Sequence, residues 1–296
     1  AYEASHWIAR IHLGSKAPEA ALELVEKMLP KAGKSRYYVN LKMDQADALY
    51  ELPGKRSASL AAYLAIAREH ADSELAPQAL YNGAFVALDT RQYPAALEHA
   101  AAFQAKFPEN ALLPDVNYVI AESQLQLQKL DEAEKQYREL IEKFSKHREV
   151  RVWKLRLAVV LYAQRKYPET VTWIEQLVTD LKQPTAVAEA QFLLGASQFS
   201  QEKYPAAATA LQASLAADAS WRQADETLLF LSRAQQKLDQ VAAATKTIQS
   251  LLKDFPGSRV LDQAHYRLGE YLYAAGDYGA AIERYQQVVT QWPKSA

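Results

Sequence analysis

The chain reads as all-α, a right-handed superhelical solenoid of about eight helix-turn-helix units with a 37-residue period. Three observations predict it. Large and small apolar residues return at a fixed step, as in a stacked repeat. Prolines cluster at a few phases of that step. The apolar spacing inside each unit is helical rather than alternating. Nine glycines in 296 residues, with alanine abundant, also favour helix.

The first unit, residues 3–30, carries Trp7, Ile8 and Ile11, a turn at Lys16-Ala17-Pro18, then Ala20 and Leu24. The second, residues 40–71, carries Asp47 and Tyr50, a Pro53-Gly54 turn, then Tyr63 and Ile66, with Arg56 holding the place that begins the second helix. Later units put Tyr93, Leu130, Tyr167, Tyr204, Val241 and Tyr278 at that place. Nine residues before it, from the third unit on, stand Ala84, Ala121, Ala158, Gly195, Ser232 and Gly269, all small. Three residues after it stand Ala96, Ala133, Thr170, Ala207, Ala244 and Ala281. Small side chains at two facing phases let paired helices approach closely.

Proline marks the same boundaries. Pro94, Pro168 and Pro205 follow the anchor residue directly, in a first helical turn where the missing N–H costs nothing. Pro77 and Pro114 open the preceding helix, and Pro108, Pro256 and Pro293 close the unit. One stretch conflicts: residues 152–157, VWKLRL, alternate like a strand. The repeat places them in a first helix, and no sheet is expected. Residues 31–36 and 182–185 read as loose joints, and the whole of 1–296 as one solenoid cut from a longer chain.

These residues carry a family resemblance. Leu268-Gly269, Tyr271-Leu272, Gly276-Asp277-Tyr278, Ala281, Tyr285 and Pro293 resemble the tetratricopeptide repeat, as do Leu194-Gly195, Tyr204, Ala207 and Leu211. The unit is longer than the family's 34 residues. With its closing Phe255-Pro256-Gly257-Ser258 it is similar in style to tetratricopeptide proteins of the bacterial envelope, those of outer-membrane assembly and of the Tol system. That resemblance implies a periplasmic or envelope location, with a cytoplasmic one as the alternative. It also implies a groove, lined by first helices, that binds protein or peptide. The groove positions that follow are Tyr81, Tyr118, Phe192 and Tyr266; Phe85, Glu122, Arg233 and Glu270; and Tyr162, Phe199 and Tyr273. Aromatic residues suit interface anchors, and the same rings also suit packing between repeats. Some family members clamp a terminal carboxylate with groove Lys and Asn. Here those places hold Tyr81, Tyr118, Phe85 and Glu122, so that clamp is not matched.

Other chemistry finds little support. Thirty-four basic and 35 acidic residues give a net charge of −1, which makes no electrostatic case for nucleic acid or an anionic membrane. No apolar run approaches the ~20 residues of a spanning helix. Cysteine is absent, which removes thiol nucleophiles and zinc–thiolate sites and suits either compartment. The six histidines lack metal-ligand spacing, and no nucleophile elbow, Walker loop or dinucleotide fingerprint occurs. Lys143, Lys146, Arg148, Arg151, Lys154 and Arg156 make a basic cluster that reads foremost as a solvated face. The expectation is a non-catalytic, cofactor-free scaffold. The alternatives are a module of an enzyme whose catalytic part lies elsewhere and a homotypic assembly protein stacking through its repeat ends.

Overall fold

A computed structural model describes residues 1–295 and divides them into two compact units, Ala1–Trp153 and from Lys154 onward. Among the described residues there are sixteen α-helices, two 3₁₀ turns and no strand. The first unit holds α1 (Tyr2–Gly14), α2 (Pro18–Met28), α3 (Tyr38–Glu51), α4 (Arg56–Glu69), α5 (Ala76–Asp89), α6 (Tyr93–Lys106), α7 (Leu113–Gln126) and α8 (Leu130–Lys143). The division falls inside α9 (Val150–Ala163). The second unit continues with α10 (Tyr167–Leu177), α11 (Pro184–Ser200), α12 (Tyr204–Ala217), α13 (Ala224–Lys237), α14 (Val241–Asp254), α15 (Leu261–Ala274) and α16 (Tyr278–Gln291). The alternating run 152–157 is helical, inside α9. Short 3₁₀ turns, Leu29–Lys31 and Val178–Asp180, follow α2 and α10; the expected joint at 31–36 is mostly turn, and that at 182–185 runs into the first turn of α11.

Second helices begin at Arg56, Tyr93, Leu130, Tyr167, Tyr204, Val241 and Tyr278. Proline stands in the first turn of the first helices α5, α7 and α11 and of the second helices α2, α6, α10 and α12, where no intrahelical N–H is needed. Proline thus opens helices of both kinds.

The turn inside each pair is built one way. The first helix ends on a left-handed residue: Lys16, Gly54, Arg91, Gln128, Arg165, Glu202, Asp239 or Gly276, with φ between 56° and 81°. In most pairs the next N–H then reaches back five residues. Gln92 N–H donates to the Ala87 carbonyl at 2.8 Å, Lys166 to Leu161 at 3.0 Å and Asp277 to Leu272 at 2.9 Å. These are Schellman caps. The residue that closes one helix is thus the cap of the next, as Gln92 and Asp277 are for α6 and α16. Glycine adopts this backbone freely and other residues at a cost of about 1 kcal/mol. Gly276→Ala is therefore expected to cost about 1 kcal/mol in urea unfolding, although open space surrounds its Cβ position. Arg165→Gly should stay within about 0.5 kcal/mol of neutral, because relief of strain offsets the added freedom of the unfolded chain.

The approach to five of the eight first helices, α3, α5, α7, α9 and α15, is also standardised. A side chain two residues upstream accepts from the backbone: Ser35 from Tyr37, Ser73 from Leu75, Asn110 from Leu112, His147 Nδ1 from Glu149 and Ser258 from Val260. Such turns preset the chain direction before the helix starts.

Within the first unit, Ala9, Ala21, Val25 and Leu41 form one buried cluster, and Tyr63, Ile66, Phe103 and Val119 belong to another. In the second unit, Ile174, Phe192, Leu211 and Trp221 are buried together, and Ile248, Leu251, Leu268 and Tyr271 form a further cluster. Where first and second helices meet, a Cβ on Gly269 would lie 2.7 Å from the Tyr285 ring, and one on Gly195 2.7 Å from Leu211 Cγ. The small-residue phase is a close helix contact.

Candidate functional site

The side chains expected on a partner face lie on first helices in both units. In the first unit, α5 places Tyr81 and Phe85 half-buried with ring centroids 6.3 Å apart. Burial pushes the Tyr81 hydroxyl up to about 12, so it stays a neutral hydrogen-bond group. On α7, Tyr118 is half-buried and meets Tyr137 edge-on at 6.4 Å. Glu122 departs from its expected role as a partner contact. It is buried, and its carboxylate accepts from Tyr137 OH at 2.7 Å and from Gln126 Nε2 at 2.8 Å. Tyr137 of α8 is fully buried, so this hydrogen bond ties α8 to α7 in the interior.

At the start of this unit the structure brings together a charged cluster that periodicity had hidden. Asp47 and Arg10 occupy the phase that is small in later repeats. Arg10 pairs with Asp47 at 2.5 Å, and the Tyr63 hydroxyl donates to the other oxygen of Asp47. One turn earlier, Asp44 on α3 is 1% exposed, with Oδ2 2.6 Å from His6 Nδ1 on α1. Burial raises the Asp44 carboxyl to about 6, against the opposing pull of the His6 hydrogen bond. A cavity of about 450 Å³ adjoins these groups and is walled on its far side by Gln78 and Asn82 of α5. The visible signal was Asp47 standing 37 residues before Ala84, a charge where the repeat wants a small side chain.

In the second unit, α11 carries Phe192 and Phe199. Phe192 is 3% exposed, with its ring 5.4 Å from Trp221 and 5.9 Å from Phe230. It is a core residue, withdrawn from the surface where the register had set it. Phe199 is half-buried and meets Tyr204 at 5.4 Å and Phe230 at 5.6 Å. Above these rings lies Arg233 of α13, its guanidinium carbon 4.8 Å from the centre of Phe199 and 5.4 Å from that of Phe230. Tyr162 of α9 is half-buried beside Tyr167 at 5.8 Å, and burial pushes its hydroxyl up to about 12. On α15, Tyr266 is 46% exposed and Tyr273 62%. Arg267 lies over the Tyr266 ring and pairs with Glu270 at 2.6 Å. Tyr285, Val288 and Tyr266 border a cavity of about 560 Å³. Phe230 is the residue that sequence reading missed here. Its place three residues before Arg233, on one helix face, was the available signal.

The remaining histidines mostly pack on rings: His147 stacks on Trp153 at 4.6 Å, His265 lies 5.5 Å from Trp292 and His70 meets Tyr38 edge-on at 5.6 Å. Among the described residues, no three His, Asp or Glu side chains are placed to hold a metal ion. None of the helices there is long and apolar enough to cross a membrane. The basic cluster loses a member, since Arg156 is largely buried and pairs with Glu189 at 3.6 Å. Lys143, Lys146, Arg148 and Arg151 are exposed.

Comparison with known proteins bears on the family and the fold. A tetratricopeptide repeat-like domain family matches residues 58–180, and a tetratricopeptide repeat family matches residues 231–296. Among the solved structures that share the fold, the type IV pilus biogenesis factor PilW is 18% identical, with 75% of this chain and 96% of that one covered and a TM-score of 0.61. A tetratricopeptide repeat protein of Parabacteroides merdae is 14% identical, with 92% and 98% covered and a TM-score of 0.62. The quorum sensor NprR of B. thuringiensis, in its apo form, is 14% identical, with 98% and 86% covered and a TM-score of 0.68. At these identities the likeness is one of fold. No curated protein sequence matches this chain.

Proposed function

Because this chain belongs to the tetratricopeptide repeat proteins, we propose that it is a non-catalytic scaffold that binds protein or peptide on the face of its first helices. The observation that carries the reading is the exposure of Tyr266 and Tyr273 on α15, while Leu268 and Tyr271 of the same helix are buried. Large rings held in solvent on a rigid helix suit interface anchors, since they add contact area at little conformational cost. Tyr81, Phe85, Tyr118, Tyr162, Phe199, Arg233 and Glu270 supply further half-buried contacts of the same kind. Phe192 and Glu122, both buried, are left out of the proposed contacts. The repeat style favours a cell-envelope setting, which fractionation of cells expressing the full-length gene would test.

The experiment is affinity capture with the intact chain and with a Tyr266→Ser, Tyr273→Ser double variant. Both rings lie outside the core, so circular dichroism should be unchanged while recovery of captured proteins falls at least about tenfold. An identical set of captured proteins would remove the first-helix face from the interaction. A second reading, self-association, rests on the outer faces of α1 and α16, where Ile11 is 65% exposed and Val289 70%. Sedimentation over a hundredfold concentration range, with Val289→Ser as the control, separates the two.

A further inference from the structure

We infer that the second unit recognises its partner through one acidic side chain of an extended polypeptide, seated on Arg233. The inference rests on the binding reading above. Arg233 is a half-buried cation with no carboxylate in ion-pair reach among the described residues. Its nearest like charge, Arg267, is already tied to Glu270 at 2.6 Å. The other groups facing it are the hydroxyls of Tyr162 and Tyr271 and the carboxylate of Glu270. Burial first, and the Arg267 charge second, hold the Arg233 guanidinium below its ordinary pKa. A cation so placed lacks an anion.

The surroundings say which anion fits. Phe199 and Phe230 lie against the guanidinium, its carbon 4.8 and 5.4 Å from their ring centres, and offer it no anion. Its N–H edge is left to donate a charge-assisted pair of hydrogen bonds to a carboxylate. The uncompensated charge is single, which matches a carboxylate better than a doubly charged phosphate. Glu226 lies two helical turns away on α13, about 10 Å by helix rise, and accepts from Gln223 at 3.1 Å. With Glu270 on the other side, it disfavours a run of acidic residues. The fitting segment therefore has a lone Asp or Glu between apolar residues that rest on Tyr162, Phe199 and Tyr266.

The test is selection of a random twelve-residue library, displayed without a free C-terminus, on the intact chain. Wild type should enrich Asp or Glu at one position between apolar residues. Arg233→Gln should lose the acidic preference and keep the apolar one. In the best peptide, made synthetically as its amide, Asp→Asn should weaken binding about tenfold on wild type and leave Arg233→Gln unaffected. Arg233→Lys, which keeps the charge, should retain the preference even if Arg233→Gln loosens the Phe199–Phe230 packing. Peptides without an acidic position, or a preference that survives Arg233→Gln, overturn the inference while leaving the binding reading in place. So does tighter binding when phosphoserine replaces the Asp, or a free C-terminal carboxylate doing the work of the side chain. If no peptide is selected at all, both fall.

Discussion

Gly195→Leu is expected to lower the melting temperature of this protein by roughly 6–12 °C, from about 3 kcal/mol of overpacking. A Cβ at this position would lie 2.7 Å from Leu211 Cγ and 3.0 Å from both Leu211 Cδ2 and the Ala207 carbonyl oxygen. Leu211 is fully buried and has nowhere to swing. Ala207 presents backbone, so α12 itself would have to move away from α11. At Gly269 the three atoms nearest an added Cβ all belong to the Tyr285 ring, which is partly exposed and can rotate, so Gly269→Leu should cost less. Ala281, 1% exposed at the facing phase, should behave like Gly195 when enlarged to Leu. Ala275→Leu, exposed at the turn, should leave melting unchanged. Thermal unfolding of these four variants tests the register, and equal melting would sink it. Because repeat units contact only their neighbours, the damage should stay local in hydrogen exchange.

A pH-dependent gap should separate wild type from Asp44→Asn. The folded carboxyl titrates near 6, above its ordinary value of 3.8, and burial is the main cause. The native state therefore holds this proton after the unfolded chain has released it, and stability falls as pH rises from about 4 through 6. The asparagine of the variant has no proton to lose. The unfolding free energy of the variant minus that of wild type should grow by about 1–3 kcal/mol between pH 4 and pH 7. His6, Arg10 and Asp47 face the same carboxyl, and the His6 hydrogen bond is the largest force holding it ionised. His6→Gln should therefore widen the gap further. Denaturant melts across that range decide the matter: a gap that stays flat, or that closes as pH rises, contradicts a desolvated Asp44.

The helix pairs were legible because their causes are local. The positions of Pro94, Pro168 and Pro205 fix where a helix opens, and the i, i+3, i+4 apolar rows fix which face it buries. The small side chains at Gly195 and Gly269 signal close helix contact through their phase in the repeat alone. The proposed partner face was legible only in part. Stepping by one repeat put Phe192, Tyr118 and Tyr266 at one equivalent position. The structure makes the first core, the second half-buried and the third exposed. What differs is how fully the neighbours close: Trp221 and Phe230 bury Phe192 to 3% exposure, while Tyr285 at 5.6 Å and Arg267 over its ring leave Tyr266 46% exposed.

The sequence by itself determined an all-helical tetratricopeptide repeat chain, the points at which its second helices open and the phase of their close contact. Those follow from backbone and side-chain preferences acting within one turn or one helix. Only the tertiary structure decided that Arg91, Gln128 and Arg165 would take the same left-handed turn as Gly276. It alone joined His6 to Asp44 across 38 residues and laid Arg233 on two phenylalanines. Those outcomes depend on which side chains adjacent repeats bring within a few ångströms, and a periodicity that averages over repeats carries no record of that.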